Sequence, residues 1–402
     1  MTSLAFLFIL LFPLTTAYTT VGFNPENVIR HEATAAETSS VSSTEAAVTQ
    51  KEGFISVDGP NLKSRIEAAV KLGRTASSAR FWTAYSFDVR SGVTVDADVV
   101  GRDGSGTIVG STSVSFSTQT ETRNLGIFLL HDSGSSDVTR VEVYNLERRR
   151  EYSGYPVYWL GRANSQESLA LLNEMVESGQ GKLVSEHSVM AVALHDDPRV
   201  GSMLENMVRR SSAEKVQTSA VFWLGQIGGE QPFLAGLVGN EQENVEVRKQ
   251  AAFSIGVGKE KGALSTLERL YGSVAPREVK RQIIFAASIN ENKDGAVDFL
   301  IKVASSDPDR EMKKQALFWL GQKAGQRSME ALGSALDNDP DTEVQKQAVF
   351  AISQRSKDEA VPALIKIAKT HPKAEVRKQA MFWLGQTGDE RALDFFKEVL
   401  LK

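Results

Sequence analysis

Apolar residues recur at steps of three and four along the C-terminal three-fifths of the chain, and one phrase returns at a nearly constant interval. It reads KQALFWLGQ from Lys314 and KQAMFWLGQ from Lys378. Such a period, without strand signals, predicts an all-α solenoid of about eight helical hairpins, each covering the next. Aligned on its aromatic position, the phrase recurs every 31 to 33 residues, at Tyr158, Met190, Phe222, Phe253, Phe285, Phe318, Phe350 and Phe382.

The helix that carries the phrase is predicted to be buried on most sides. At about 100° per residue, apolar side chains cover most of its circumference, and small residues such as Ala380 and Gly385 allow a close neighbour. A glutamine also recurs in the phrase, and two hypotheses for the role of its side-chain amide remain open. The amides form a hydrogen-bonded ladder that fixes the register between repeats, or they line a polar groove for a ligand. These glutamines stand three residues before the aromatic position, at Gln250, Gln282, Gln315, Gln347 and Gln379.

The polar side of the same helix carries a series of basic pairs, called the basic ridge below. A glutamate three residues before the second member of each pair predicts an intrahelical ion pair that weakens the field of the ridge. A structural or solubility role and a surface for an acidic or phosphorylated partner are both open. The ridge consists of Arg248, Lys249, Lys280, Arg281, Lys313, Lys314, Lys346, Arg377 and Lys378, with Gln345 at the one non-basic position.

These repeats resemble a known family, the HEAT repeats, and in particular the short bacterial type related to bilin-lyase repeats. The resemblance rests on the Asp-Pro turn, on Val-Arg or Val-Lys steps such as Val247-Arg248 and Val376-Arg377, and on the Ala, Leu and Gly that follow. It covers residues 153–402. It implies that the helix with the basic ridge lines the concave face, where partners bind in that family.

Residues 54–152 have a different character. Runs such as RFWTAYSFDV and NLGIFLLHD alternate with turn-like RSG, GRDGSG and DSGSSD, after one short amphipathic helix in NLKSRIEAAVKLG. Strand-forming runs separated by such breaks predict a small β-rich α+β domain. No family resemblance is evident there.

The first 53 residues read as targeting and tether segments. Leu4–Leu14 is an apolar run too short to span a bilayer, and the small residues up to Ala17 resemble a cleavage site. We therefore expect a signal peptide at 1–17, a disordered tether at 18–53, and no membrane span once the signal is removed. An uncleaved membrane-associated tail or a misassigned start codon is the alternative. Export without a single cysteine favours a bacterial periplasm or exterior.

Composition excludes cysteine chemistry and gives no support for nucleic acid as a partner. No cysteine is available for thiolate chemistry, and a net charge of −4 gives no general bias toward nucleic acid. The small domain could hold a calcium or carboxylate site, although its Asp-Gly and Ser-Gly steps are also what hairpin turns require. The residues in question are Asp96, Asp98, Asp103, His131, Asp132 and Asp137.

We expect an exported, non-catalytic scaffold that binds a protein or peptide partner of acidic character on the basic ridge, without a cofactor or metal. The alternative is an enzyme or enzyme subunit with its site in the small domain and the solenoid as a substrate clamp. Self-association through the last helix is a third possibility, because Phe395, Phe396, Val399 and Leu400 end the stack without an obvious polar cap.

Overall fold

The structure is a computed structural model that describes residues 53–76, 78–96, 100–102, 108–110, 113–116, 123–135, 137–147, 150–179 and 181–401. The predicted signal segment and tether lie outside the described residues, apart from Gly53. The chain divides into two compact units, whose boundary falls between residues 167 and 168.

The first unit is built on a five-stranded sheet of order β1-β9-β2-β7-β8. Strand β9 runs parallel to both β1 and β2, whereas β2–β7 and β7–β8 are antiparallel. Two further antiparallel pairs, β3–β6 and β4–β5, stand apart from this sheet. The strands are β1 (Phe54–Ser56), β2 (Arg80–Ser86), β3 (Val93–Asp96), β4 (Val100–Arg102), β5 (Ile108–Gly110), β6 (Ser113–Phe116), β7 (Leu125–Asp132), β8 (Val138–Asn145) and β9 (Val157–Arg162).

Both faces of this sheet are buried. Helix α1 (Leu62–Thr75) begins at Asn61, whose side chain accepts a hydrogen bond from Ser64 N, and it packs so closely that a Cβ on Gly73 would lie 2.6 Å from the Phe81 ring. The opposite face carries an aromatic cluster that includes Trp82, Phe128 and Trp159. The predicted α+β domain is therefore confirmed.

The sheet extends further along the chain than predicted. Tyr158, taken above as the aromatic position of the first repeat, lies in β9 and pairs with Thr83 of β2. The helical interpretation of this copy of the phrase is wrong, because a short apolar run of Val, Tyr, Trp and Leu fits a buried strand equally well and periodicity cannot separate the two. Residues 157–162 thus belong to the sheet, and the helical part begins at Ser165.

From Ser165 onward the described residues form fifteen helices in two layers, which confirms the predicted solenoid. The odd-numbered helices from α3 to α15 pack side by side in chain order, and each even-numbered helix from α4 to α14 packs against the odd-numbered helix that follows it. Among the described residues, no helix is long and apolar enough to span a membrane. The helices are α2 (Ser165–Glu177), α3 (Lys182–Ala193), α4 (Val200–Arg210), α5 (Glu214–Ile227), α6 (Gln231–Gly239), α7 (Val245–Val257), α8 (Ala263–Ser273), α9 (Arg277–Ser288), α10 (Lys293–Ser306), α11 (Arg310–Gly321), α12 (Gln326–Asn338), α13 (Thr342–Ser353), α14 (Lys357–Thr370), α15 (Ala374–Gln386) and α16 (Glu390–Leu400).

The Asp-Pro turns at residues 307–308 and 339–340 prepare the starts of helices α11 and α13. Asp307 and Asp339 are buried, and each accepts a hydrogen bond from the backbone N–H two residues later, at 2.8 and 2.9 Å. The residues that donate these two hydrogen bonds are Asp309 and Asp341. Their side chains cap α11 and α13 by accepting from the backbone N–H of Glu311 and of Glu343. Each turn therefore satisfies donors that a helix N-terminus leaves without partners.

Candidate partner-binding surface

A row of phenylalanines follows the exposed side of the odd-numbered helices. The rings of Phe253 and Phe285 stack with centroids 6.0 Å apart, and those of Phe318 and Phe350 stack at 6.3 Å. Most of these rings are half-buried, whereas Phe382 is 55% exposed. We define the aromatic row as Phe222, Phe253, Phe285, Phe318, Phe350 and Phe382.

Tryptophans join the aromatic row across the repeat boundaries. The ring of Trp319 lies 5.1 Å from Phe285 of the preceding repeat and 4.9 Å from Phe318 of its own, measured between centroids. Trp383 lies 5.0 Å from both Phe350 and Phe382 in the same way. An aromatic chain therefore runs without interruption from α7 to α15.

The glutamines three residues before each ring share its helix face. We call Gln250, Gln282, Gln315, Gln347 and Gln379 the glutamine row, and all five are half-buried. Gln250 Nε2 donates to Ser254 Oγ of its own helix at 3.5 Å. In the described part of the chain, the other four side chains make no hydrogen bond to another residue. The ladder between repeats is thus not formed, and the second hypothesis, a polar surface for a ligand, stays open.

The first residues of the basic pairs hold the solenoid together. Arg248 is 3% exposed, and its Nε donates to the carbonyl of Val238 in α6 at 2.9 Å. Arg377 Nη1 donates to the carbonyl oxygens of His371 and Pro372 in the preceding turn. These contacts tie an odd-numbered helix to the element before it.

Two other first residues of the pairs also contact neighbouring elements. Lys313 pairs with the buried carboxylate of Asp339 in the next turn at 2.7 Å. Lys280 places its ammonium 5.1 Å from the centroid of the Tyr271 ring in α8. Gln345, at the non-basic position of the series, is itself buried. This half of the basic ridge is occupied by contacts within the solenoid.

The second residues of the basic pairs lie on the face of the aromatic row, four residues before each ring. Lys249, Lys314 and Lys346 form the predicted ion pairs with the glutamate three residues earlier, at 2.9, 3.3 and 3.0 Å. Arg281 and Lys378 are exposed and form no ion pair within the described residues. The structure therefore separates the nine ridge residues into two sets and brings only the second set to the aromatic surface.

The alternative site in the small domain has the features of a folded core and turns. His131 is 1% exposed, its Nε2 lies 2.9 Å from Thr83 Oγ1, and its ring stacks on Phe81. Asp132 accepts from Gly134 N, and Asp137 from Ser135 Oγ, as expected of turn residues. Asp96 ends β3. Asp98 and Asp103 lie outside the described residues.

The described residues contain no group of three or more His, Asp or Glu side chains that could hold a metal ion. This result adds no support for a carboxylate or metal site in the described part of the small domain.

The aromatic row was missed as a surface because its rings were assigned to the core. The sequence does contain a signal that the aromatic position is at the surface. On a helix the glutamine and the second basic residue lie on either side of the aromatic position, and a glutamate lies seven residues before it. Three polar or charged neighbours at those steps indicate a face that water reaches.

Two layers of antiparallel helices at a constant period define an α-solenoid. Residues 329–402 match the family model described as HEAT repeats, which confirms the resemblance drawn from the sequence for that part of the chain. No curated protein matches this chain.

Solved structures with similar helical arrays are remote. Human deoxyhypusine hydroxylase is 15% identical over 58% of this chain and 90% of its own, with a TM-score of 0.29. The complex of CpcE and CpcF of phycocyanin lyase from a Nostoc species is 15% identical over 58% of this chain and 92% of its own, at 0.29. Lipovitellin is 14% identical over 55% of this chain and 26% of its own, at 0.40. Likeness at this level carries no functional conclusion.

Proposed function

We propose that this protein is a non-catalytic scaffold whose solenoid binds a segment of a partner protein on the exposed side of its odd-numbered helices. The observation that carries the proposal is the uninterrupted aromatic chain from Phe253 to Phe382, flanked by five glutamine amides of which four make no hydrogen bond to another described residue. Contiguous apolar surface rimmed by polar groups is typical of interaction sites. Aromatic side chains are also the residues that most often dominate the energy of an interface.

Charge is a finer part of the proposal. Arg281 and Lys378 add positive charge to the aromatic face, which favours partner segments that carry acidic residues beside apolar ones. The ion-paired lysines add less, because the glutamates cancel much of their field. Raising the salt concentration should therefore weaken binding modestly. If the partner is acidic, Arg281→Glu should reduce the affinity of the solenoid for it more than Lys249→Glu does.

Export and self-association are further parts of the proposal. The apolar run that ends before Ala17 supports action in a bacterial envelope or outside the cell, which fractionation of the expressed full chain would test. Exposed Leu393, Val399 and Leu400 on α16 support weak pairing of two copies. Sedimentation over a hundredfold range of concentration would contradict that pairing if the mass remained that of one chain.

A peptide selection tests the central proposal. The purified full chain is used to select binders from a random peptide display library, and affinities are measured by fluorescence anisotropy. Phe318→Ala and Phe382→Ser should each reduce affinity at least tenfold if the aromatic row forms the interface. Leu72→Ser is the matched control, because Leu72 is 47% exposed on α1 of the first unit while Phe382 is 55% exposed on α15.

Circular dichroism of each variant separates loss of binding from loss of folding. Failure to select any peptide, or equal affinities for the wild type and both phenylalanine variants, would overturn the proposed surface.

A further inference from the structure

Half-buried amides without protein partners are an unusual feature to repeat at one position of successive helices. Each glutamine side chain has two N–H donors and a carbonyl acceptor, and partial burial reduces the number of waters that can serve them. Gln282, Gln315, Gln347 and Gln379 make no side-chain hydrogen bond within the described residues. The amides are therefore available to a ligand.

A main-chain peptide group complements such an amide. The glutamine carbonyl can accept from a peptide N–H while its amino group donates to a peptide C=O, so one side chain can serve a donor and an acceptor of the same backbone. Extended and polyproline-type chains form no internal hydrogen bonds and present all of these groups. Phosphate or nucleic acid is less suitable, because Glu246, Glu311 and Glu343 pair with three of the five neighbouring basic residues and leave Arg281 and Lys378 without an ion pair in the described part of the chain.

The spacing of the row fits an extended chain. Packed helices lie about 8–10 Å apart, so successive glutamines on neighbouring odd-numbered helices are expected at about that interval. A polyproline-type chain advances about 3.1 Å per residue, and a β-strand about 3.3 Å. One glutamine therefore corresponds to about three residues of the ligand.

We infer that the glutamine row binds the main chain of an extended peptide segment, one peptide group in about three, while the aromatic row holds its apolar side chains. The inference rests on the proposed function and adds how the partner is recognised: by backbone hydrogen bonds, in an extended conformation. Sequence specificity then comes from the side chains that meet the phenylalanines, and different segments of similar spacing share the surface.

Ester replacement in the ligand tests the backbone contacts directly. A peptide selected as above is synthesised as a series in which one amide at a time becomes an ester, which removes a single N–H and leaves the side chains unchanged. Affinity should fall about threefold to tenfold at every third position or so, and little elsewhere. A series in which no ester changes the affinity would overturn the inference.

Variants of the protein complete the test. The triple variant Gln282→Leu, Gln315→Leu and Gln347→Leu keeps the side-chain size but removes the amides, and it should lower affinity at least thirtyfold. In that variant the esters at the ligand positions that contact these three glutamines should no longer have an effect, because the groups that bind the replaced N–H are gone. Gln326→Leu, an exposed position on the even-numbered helix α12, is the control and should bind as the wild type does.

The outcomes separate the inference from the proposed function. If Phe318→Ala abolishes binding while the triple glutamine variant binds normally, the surface stands and backbone recognition is refuted. If no peptide binds the wild type, both are refuted. Binding of oligosaccharides in place of peptides on the same aromatic surface would also refute both. Single glutamine variants replace the triple variant if it does not fold.

Discussion

A Cβ atom placed on Gly321 would lie 2.8 Å from the carbonyl oxygen of Ala351 on the next odd-numbered helix. The same relationship joins Gly256 to Ala286, at 2.6 Å between the added Cβ and the carbonyl oxygen. Such distances are shorter than real Cβ contacts, so the backbones approach as closely as they do only because these positions have no side chain. At these two positions the glycine of the repeated phrase is therefore required by packing against the next odd-numbered helix.

Gly321→Ala should destabilise the solenoid by about 1–3 kcal/mol, because the methyl group must push α11 away from α13. Gly385, the equivalent position in α15, has no heavy atom within 4 Å of an added Cβ. Gly385→Ala should therefore be neutral or stabilise by up to about 1 kcal/mol through helix propensity. Urea denaturation followed by circular dichroism measures both. Equal effects of the two variants would contradict the role assigned to Gly321.

Arg248 and Lys249 are neighbours in sequence and should differ sharply in their contribution to stability. Arg248→Ala removes a buried guanidinium that donates to the Val238 carbonyl, and should cost about 1.5–3 kcal/mol. Lys249→Ala removes only a surface ion pair with Glu246 and should stay within about 0.5 kcal/mol. Thermal unfolding of the two variants makes the comparison, and a larger loss for Lys249→Ala would show that the two sets of the basic ridge are assigned the wrong way round.

Much of this architecture could be predicted from the sequence because it repeats. A nearly constant period runs through the repeats, and an Asp-Pro turn or a glycine three residues after the aromatic position returns in several of them, so these features accumulate into a strong signal. The segment around Tyr158 shows the limit of that reasoning. Its sequence matches the phrase, yet it pairs with β1 and β2 and forms a strand. Pairing with neighbouring strands therefore determined the secondary structure of a segment whose local sequence fits a helix or a strand equally well.

The surface was harder to predict than the fold. Helical projection gives the angular positions of Arg248 and Lys249 around α7. It does not show that Arg248 is buried with its Nε hydrogen-bonded to the carbonyl of Val238. It also cannot show whether a glutamine such as Gln315 meets a partner across the repeat boundary, since that depends on the offset between neighbouring helices. Contacts between repeats are thus the part that the sequence leaves undetermined.

A hydrogen bond between Tyr271 and Asp307 links helix α8 to the turn before α11. Removing the tyrosine oxygen should show how much this bond contributes to the free energy of unfolding. The Tyr271 hydroxyl donates to Asp307 Oδ2 at 2.5 Å, and burial together with this hydrogen bond raises the pKa of Tyr271. Tyr271→Phe should cost about 1.5–3 kcal/mol, since it leaves a buried carboxylate without one of its donors. A loss below about 0.5 kcal/mol in urea denaturation would mean that water replaces the hydroxyl without penalty.

Asp389 and Asp197 should give the protein a stability that disappears in acid. The guanidinium hydrogen bonds of Arg391 and of Arg199 lower the pKa of these two carboxyls to about 2. Because an unfolded aspartate has a pKa near about 3.9, the folded state favours the ionised form, and that contribution is complete above about pH 4. It should be lost as the pH falls from about 4 to about 2.

The test compares the wild type with Asp389→Asn and with Asp197→Asn. Asparagine can still accept the backbone hydrogen bonds that Asp389 receives from Arg391 N and Asp197 from Arg199 N, so each variant removes the charge and keeps the acceptor. The melting temperature of each variant should lie below that of the wild type by a constant amount above pH 5. That difference should shrink as the pH falls toward 2, because protonation then removes the same charge from the wild type. A difference that stays constant down to pH 2 would show that the two arginine pairs do not set these pKa values.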